Sequence, residues 1–131
     1  MAKDSSGGYK VNDLTEIIIG SAIEVHKNLG PGLLESAYQQ AMAYEFADKG
    51  IKFLIEKPIP VKYKGRNIDC AFRADMVVED AVIIELKAVD KLMPIHTAQL
   101  ITYLKLSGLK VGLLINFNVG LLKNGIKRVI V

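Results

Sequence analysis

The chain's 131 residues, 50% hydrophobic and 24% charged, exclude a disordered, collagen-like or disulfide-stapled protein. A net charge of +3, spread along the sequence, tolerates a polyanionic partner without marking a dedicated nucleic-acid binder. The single cysteine, Cys70, can form neither an internal disulfide nor a cysteine zinc cluster, and is read as structural.

The polar opening Met1–Gly8 lacks the apolar core of a signal peptide, and no apolar run reaches the roughly 18 residues of a membrane span. A cytoplasmic protein with no membrane contact is therefore expected. Residues 1–10 are expected to form a flexible tail and 11–131 one folded domain. A first helix is predicted over 13–28, with Asp13 as N-cap and Glu16 completing a capping box. Its inward stripe is Leu14, Ile17, Ile18, Ser21 and Val25, and Gly30-Pro31-Gly32 ends it. A second helix follows from Leu33 to Lys49, with Leu34, Ala37, Tyr38, Ala41, Met42 and Phe46 at three- and four-residue spacing.

The period then changes. Residues 51–63 read as extended, with Pro58 and Pro60 marking an edge or a bend. Lys64-Gly65 reads as a turn, and 67–78 and 81–88 as strands joined around Glu79-Asp80. A third helix covers 93–107 and stops at Gly108. The apolar run 109–116 suits a buried strand. A turn region at 118–125 and a last strand at 126–131 complete the chain. This order predicts an α/β fold: one mixed β-sheet flanked by α-helices, with 81–88, 93–107 and 109–116 forming a parallel crossover.

Chemistry enters through alternation. Val82, Ile84 and Leu86 point to one face of their strand, and Ile83, Glu85 and Lys87 to the other. In the preceding strand Ala74, Met76 and Val78 alternate with Arg73 and Asp75. If the two strands pair antiparallel with core facing core, Asp75 lands beside Glu85 and Lys87. An even turn at Glu79-Asp80 would pair Asp75 with Ile84 and destroy this. The pattern therefore demands an odd turn, such as Glu79-Asp80-Ala81, or a bulge. Two juxtaposed carboxylates suit a hard divalent cation, and a nearby lysine can activate water or hold phosphate. The plainer alternative is an exposed sheet face carrying an ion pair.

Asp75, with Glu85-Leu86-Lys87 ten residues on, resembles the D…ExK core of the PD-(D/E)XK nuclease superfamily. Gln99 and Tyr103, four apart on the following helix, resemble the QxxxY motif of its branch of recombination nucleases and lambda-type exonucleases. Gly32-Leu33-Leu34-Glu35-Ser36-Ala37-Tyr38 is similar to the motif of the small GxxExxY proteins, as are the segments 24–32 and 112–117. The resemblance spans roughly 13–131. Ala74 stands where the motif name has proline.

The resemblance implies a PD-(D/E)XK nuclease-like fold and a metal-dependent nuclease acting on DNA, or else RNA, with Mg²⁺ or Mn²⁺. Asp75 and Glu85 would ligate the metal with the Leu86 carbonyl, joined by Glu35 and His26 as further candidates. Lys87 would activate water or contact phosphate. Gln99, Tyr103 and Tyr38 would contact nucleic acid or brace the site. Each has a plainer alternative. Glu35 can serve the positive end of its helix, Tyr38 and Tyr103 can be core aromatics, Gln99 can face solvent, and His26 and His96 can be hydrogen-bonding histidines. The alternative function is a non-catalytic nucleic-acid- or protein-binding module of the same fold. A hydrolase of some other phosphate ester ranks below both, and no P-loop or dinucleotide glycine motif is present.

Overall fold

A computed structural model describes residues 8–69 and 72–131. Cys70 therefore lies outside the described residues. The elements run α1 (Val11–Leu29), α2 (Glu35–Asp48), β1 (Phe53–Pro58), β2 (Val61–Tyr63), β3 (Arg66–Ile68), β4 (Arg73–Val78), β5 (Val82–Lys87), α3 (Pro94–Ser107), β6 (Val111–Asn116), a 3₁₀ turn (Leu122–Gly125) and β7 (Ile126–Ile130). Among the described residues, a five-stranded sheet has the order β1-β4-β5-β6-β7, and β2 with β3 forms a separate hairpin. The sheet is mixed: β5 and β6 are parallel, joined through α3, and the other neighbours are antiparallel. No helix is long and apolar enough to cross a membrane.

Both faces of the sheet are covered. Leu14, Ile18, Ala22 and Val25 of α1, with Tyr38, Met42 and Phe46 of α2, pack on Met76, Val78, Val82, Ile84, Leu86, Leu113 and Ile115. On the other face Leu100 and Leu104 of α3 pack on Val77, Ile83 and Leu114. The side of β5 that carries Glu85 is thus not the open face allowed by its alternation, since Ile83 is fully buried. Nor does Ala74 sit with Met76 and Val78. It is buried in the α3-side cluster with Ile59, and the sheet is interrupted at the intervening Asp75, as described below. Gly112 fits the α3 side tightly: a Cβ there would meet the Leu100 side chain at 2.8 Å.

Several sequence expectations need correction at element ends. α1 starts at Val11, with Lys10 as N-cap and no side-chain cap, so the Asp13–Glu16 capping box is not formed. The Leu14 N–H already closes the first turn on the Lys10 carbonyl. Tyr9 packs against the α1 core, so the tail assigned to 1–10 does not extend that far. α2 starts at Glu35. The strand expected over 67–78 is two strands, because Lys64-Gly65 folds β2 back on β3 before β4 begins.

The register follows the hydrophobic alternation. Val78 pairs with Val82, Val77 with Ile83 and Met76 with Ile84. The turn between them is Glu79-Asp80-Ala81, closed by the Ala81 N–H on the Val78 carbonyl, with Glu79 and Asp80 both at positive φ. Glu79 is tied on both sides to Lys52: its N–H donates to the Lys52 carbonyl and its Oε2 accepts the Lys52 N–H.

Tyr38 braces the segment between α1 and α2. Its hydroxyl donates to the Gly30 carbonyl at 2.6 Å and accepts the Leu33 N–H at 3.1 Å, while its ring stacks on Phe117 at 4.3 Å. Tyr38→Phe should cost about 1–3 kcal/mol, because it orphans groups behind a buried ring. Ile84→Ala should cost about 2–5 kcal/mol, whereas Ile130→Ala, at a side chain 65% exposed, should cost under about 1 kcal/mol. Urea melts of the three variants check this ordering.

Candidate active site

The β4–β5 ladder stops where the acidic residues begin. Met76–Ile84 is the last pair before the positions of Asp75 and Glu85. There the side chains take over the bonding. The Asp75 N–H donates to Glu85 Oε2 at 3.2 Å, and the Leu86 N–H donates to Asp75 Oδ2 at 2.8 Å. On the other side of β4 the β1 ladder also breaks opposite Asp75, at Glu56, whose φ is +54°. The Asp75 carbonyl finds its partner outside the sheet: Gln39 Nε2 of α2 donates to it at 3.0 Å and to Glu56 Oε1 at 3.1 Å. Asp75 therefore sits in a gap in the sheet, held by the side chains of Glu85 and Gln39 and by the Leu86 N–H.

This gap opens on a small cleft of about 170 Å³ lined by Glu35, Ser36, Gln39, Glu56, Asp75 and Leu86. Glu35 comes from the first turn of α2 and Gln39 from the next, on one helix face. Glu85 is 6% exposed. Burial first, and then the hydrogen-bonded, charged Asp75, push its carboxyl up from the usual 4.5 to about 9, against a smaller opposing pull from Lys87. The proton so retained belongs to the pair of carboxylates. Lys87, half-buried at the end of β5, pairs in the ladder with Asn116.

Helix α3 borders the site from the far face. Burial and the charges of Glu85 and Asp75 raise the Tyr103 phenol above its ordinary value, and its ring stacks on Phe72. Gln99 is exposed on the preceding turn of α3. The remaining candidates lie elsewhere. His26 Nε2 is bonded to the Val119 carbonyl at 2.8 Å. His96 Nδ1 accepts the Met93 N–H and so caps α3. Tyr38 is fully buried as the brace already described. Among the described residues no three His, Cys, Asp or Glu side chains converge into a metal-holding group; Glu35 lines the cleft with Asp75.

The donors present still suit a hard divalent cation. Burial and the neighbouring Asp75 raise the Glu85 carboxyl, and a cation relieves the same repulsion that the proton does. Magnesium-type sites commonly take one or two carboxylates and leave the other positions to water and phosphate oxygens.

A profile of the PD-(D/E)XK nuclease superfamily matches residues 12–129. The chain belongs to that superfamily. Its mixed sheet and flanking helices accord with the superfamily fold. Membership gives a nuclease-type function and, generally, a nucleic-acid substrate; PD-(D/E)XK nucleases generally use divalent metal ions. No curated protein and no solved structure matches the chain at a significant level.

Ser36, Gln39 and Glu56 are lining residues that the sequence reading missed. Gln39 lies four residues after Glu35, but a lone polar residue at that spacing is not a specific signal.

The raised Glu85 carboxyl has a consequence for stability. Between pH 4.5 and about 9 the folded chain keeps a proton that the unfolded chain has lost. This contribution is complete below 4.5 and is lost as pH rises through about 9. Denaturant melts in EDTA should therefore show stability falling from pH 5 to pH 9, and Glu85→Gln should flatten that slope.

Proposed function

We propose that the chain is a divalent-metal-dependent nuclease that hydrolyses phosphodiester bonds in DNA, with Asp75 and Glu85 holding Mg²⁺ or Mn²⁺. The observation that carries this reading is the gap in the sheet, where two carboxylates replace a ladder pair and the Glu85 carboxyl is pushed up by burial and by Asp75. A buried carboxyl beside a second carboxylate does nothing for the fold that an apolar pair would not do better. The Leu86 carbonyl follows Glu85 directly and is the main-chain oxygen proposed to complete the ligand set. When bound, the cation supplies positive charge for the phosphate oxygens and lowers the pKa of water.

The other roles follow from position. The Lys87 ammonium orients the attacking water or holds a non-bridging phosphate oxygen. Glu35, at the mouth of the cleft, accepts a hydrogen bond from water entering the site. Gln39 keeps the Asp75 main chain fixed, so that the carboxylate meets Glu85 in one geometry. Tyr103 closes the α3 side, and Gln99, exposed one turn earlier, reaches the nucleic-acid backbone. Within the superfamily we assign the chain to the small GxxExxY group, on the Gly32, Glu35 and Tyr38 spacing.

Labelled single- and double-stranded DNA, and RNA in parallel, incubated with Mg²⁺ or Mn²⁺ tests the proposal. Wild type should cleave, EDTA should stop cleavage, and Asp75→Ala and Glu85→Ala should each abolish both cleavage and calorimetric Mn²⁺ binding. Lys87→Ala should lower the rate roughly 100- to 10,000-fold while leaving Mn²⁺ binding in place. Binding of DNA without cleavage under every metal condition would favour the non-catalytic module. Unchanged Mn²⁺ affinity in both carboxylate variants would remove the metal site.

A further inference from the structure

The β2–β3 hairpin is not part of the main sheet, and its strands are only three residues each. A pair this short is marginal alone, and it contributes little to the core beyond the buried Ile59 at its base. Its composition is one-sided. From Val61 to Ile68 it carries Lys62, Lys64 and Arg66 and no acidic residue, and all three cations are exposed. Tyr63 is 61% exposed at the tip, with Lys64 Nζ 5.4 Å from its ring centroid. The register pairs Tyr63 with Arg66, so aromatic ring and guanidinium share one face. An aromatic kept out of water by nothing, among three cations, is a poor choice for a mere turn.

Its place in the fold matters more. β1 leads directly into the hairpin, and the chain leaving it enters β4 two residues before Asp75. At the base the Ile59 N–H donates to the Phe72 carbonyl, and Phe72 stacks on Tyr103, whose phenol is raised by the charges of Glu85 and Asp75. The hairpin therefore springs from the α3-side border of the candidate active site. Nearby Lys57 is engaged by Asp80 at 3.6 Å, whereas among the described residues Lys62, Lys64 and Arg66 make no salt bridge.

We propose that the β2–β3 hairpin is an arm that grips a single-stranded stretch of DNA beside the candidate active site. Arg66 and Lys64 contact phosphates beside Tyr63, Lys62 contacts one from the opposite face of the hairpin as the strand wraps it, and an unstacked base lies on Tyr63. This rests on the nuclease reading for its choice of ligand, but it concerns binding and not cleavage. Phosphate contacts from cations supply affinity without sequence preference, and an exposed aromatic gives any unpaired base a platform. A duplex offers its phosphates but not a free base face, so Tyr63 is the residue that selects the single strand.

The test is fluorescence anisotropy with the full chain in EDTA, where no cleavage occurs, using labelled oligo-dT, oligo-U and a DNA duplex. Lys62→Ala/Lys64→Ala/Arg66→Ala should weaken oligo-dT binding on the order of tenfold or more and reduce the salt dependence, d log K/d log [salt], by about 2. Tyr63→Ala should weaken oligo-dT binding roughly 5- to 150-fold and change duplex binding little. Thermal melts unchanged from wild type keep folding out of the comparison, since every substituted side chain in the hairpin is exposed. If wild type binds oligo-dT and the hairpin variants bind it equally, the arm is refuted while the nuclease reading stands. Equal losses on duplex and single strand for Tyr63→Ala refute the stacking assignment, and hairpin dependence on oligo-U alone refutes DNA as the ligand. Wild type that neither binds nor cleaves any nucleic acid overturns both.

Discussion

A β-sheet is held together by its backbone, and at one point in this sheet the backbone gives way to carboxylates. Asp75 and Glu85 stand in adjacent antiparallel strands where a ladder pair would be, and each reaches across to an N–H of the other strand. Much of the surrounding structure serves this substitution. Gln39 satisfies the Asp75 carbonyl that the sheet leaves unpaired. The left-handed residue Glu56 breaks β1 at the same level. Below the gap, the three-residue turn sets the register and the link to Lys52 holds it. Elsewhere in the protein a buried carboxyl beside a second one would be a defect. Here the fold spends several specific bonds on keeping that pair in one geometry, which is the usual mark of a working site.

The sequence made the register legible because alternation leaves no freedom. Met76, Val78, Val82, Ile84 and Leu86 can share a core only if Asp75 and Glu85 meet, and an even turn would have forbidden it. The interruption of the ladder was not legible, because a one-dimensional pattern does not distinguish a strand that pairs from a strand that forks. The covering of the Glu85 face by α3 was missed for another reason. Every residue of β6 is buried, which already says that both faces of its neighbour β5 are roofed. The local pattern of β5, with a charge at two alternate positions, suggested solvent instead. The split of the 67–78 segment was hidden in the same way: residues on both sides of the gap have strand propensity, and only the tertiary path shows that the first three belong to a hairpin. Gln39 was invisible as a site residue because a single polar residue on an amphipathic helix has many plainer explanations.

Tyr38 shows how a motif can be structural and still bear on function. The residues that carry the resemblance around Gly32 do two separate jobs. Tyr38 turns inward, bonds the Gly30 carbonyl and the Leu33 N–H, and stacks on Phe117. Glu35, three residues earlier, faces the cleft beside Asp75. The brace fixes where α2 begins, and the start of α2 fixes where Glu35 and Gln39 stand. Asn116 continues this link at the far end of the neighbouring strand. Its side chain bonds both the N–H and the carbonyl of Val89, just beyond Lys87. Phe117, the stacking partner of Tyr38, donates its own N–H to the Lys87 carbonyl.

Gly112 sets a dimension of the molecule by what it lacks. The Leu100 side chain occupies the space a Cβ at position 112 would need, so α3 rides about one carbon closer to the sheet than any other residue would permit. Gln99 and Tyr103 flank Leu100 on that helix, and Phe72 rests on Tyr103. The clearance between α3 and the sheet is thus a single adjustable spacing shared by the buried core, the Phe72–Tyr103 stack and the root of the hairpin. One substitution at Gly112 is enough to alter the width of this opening.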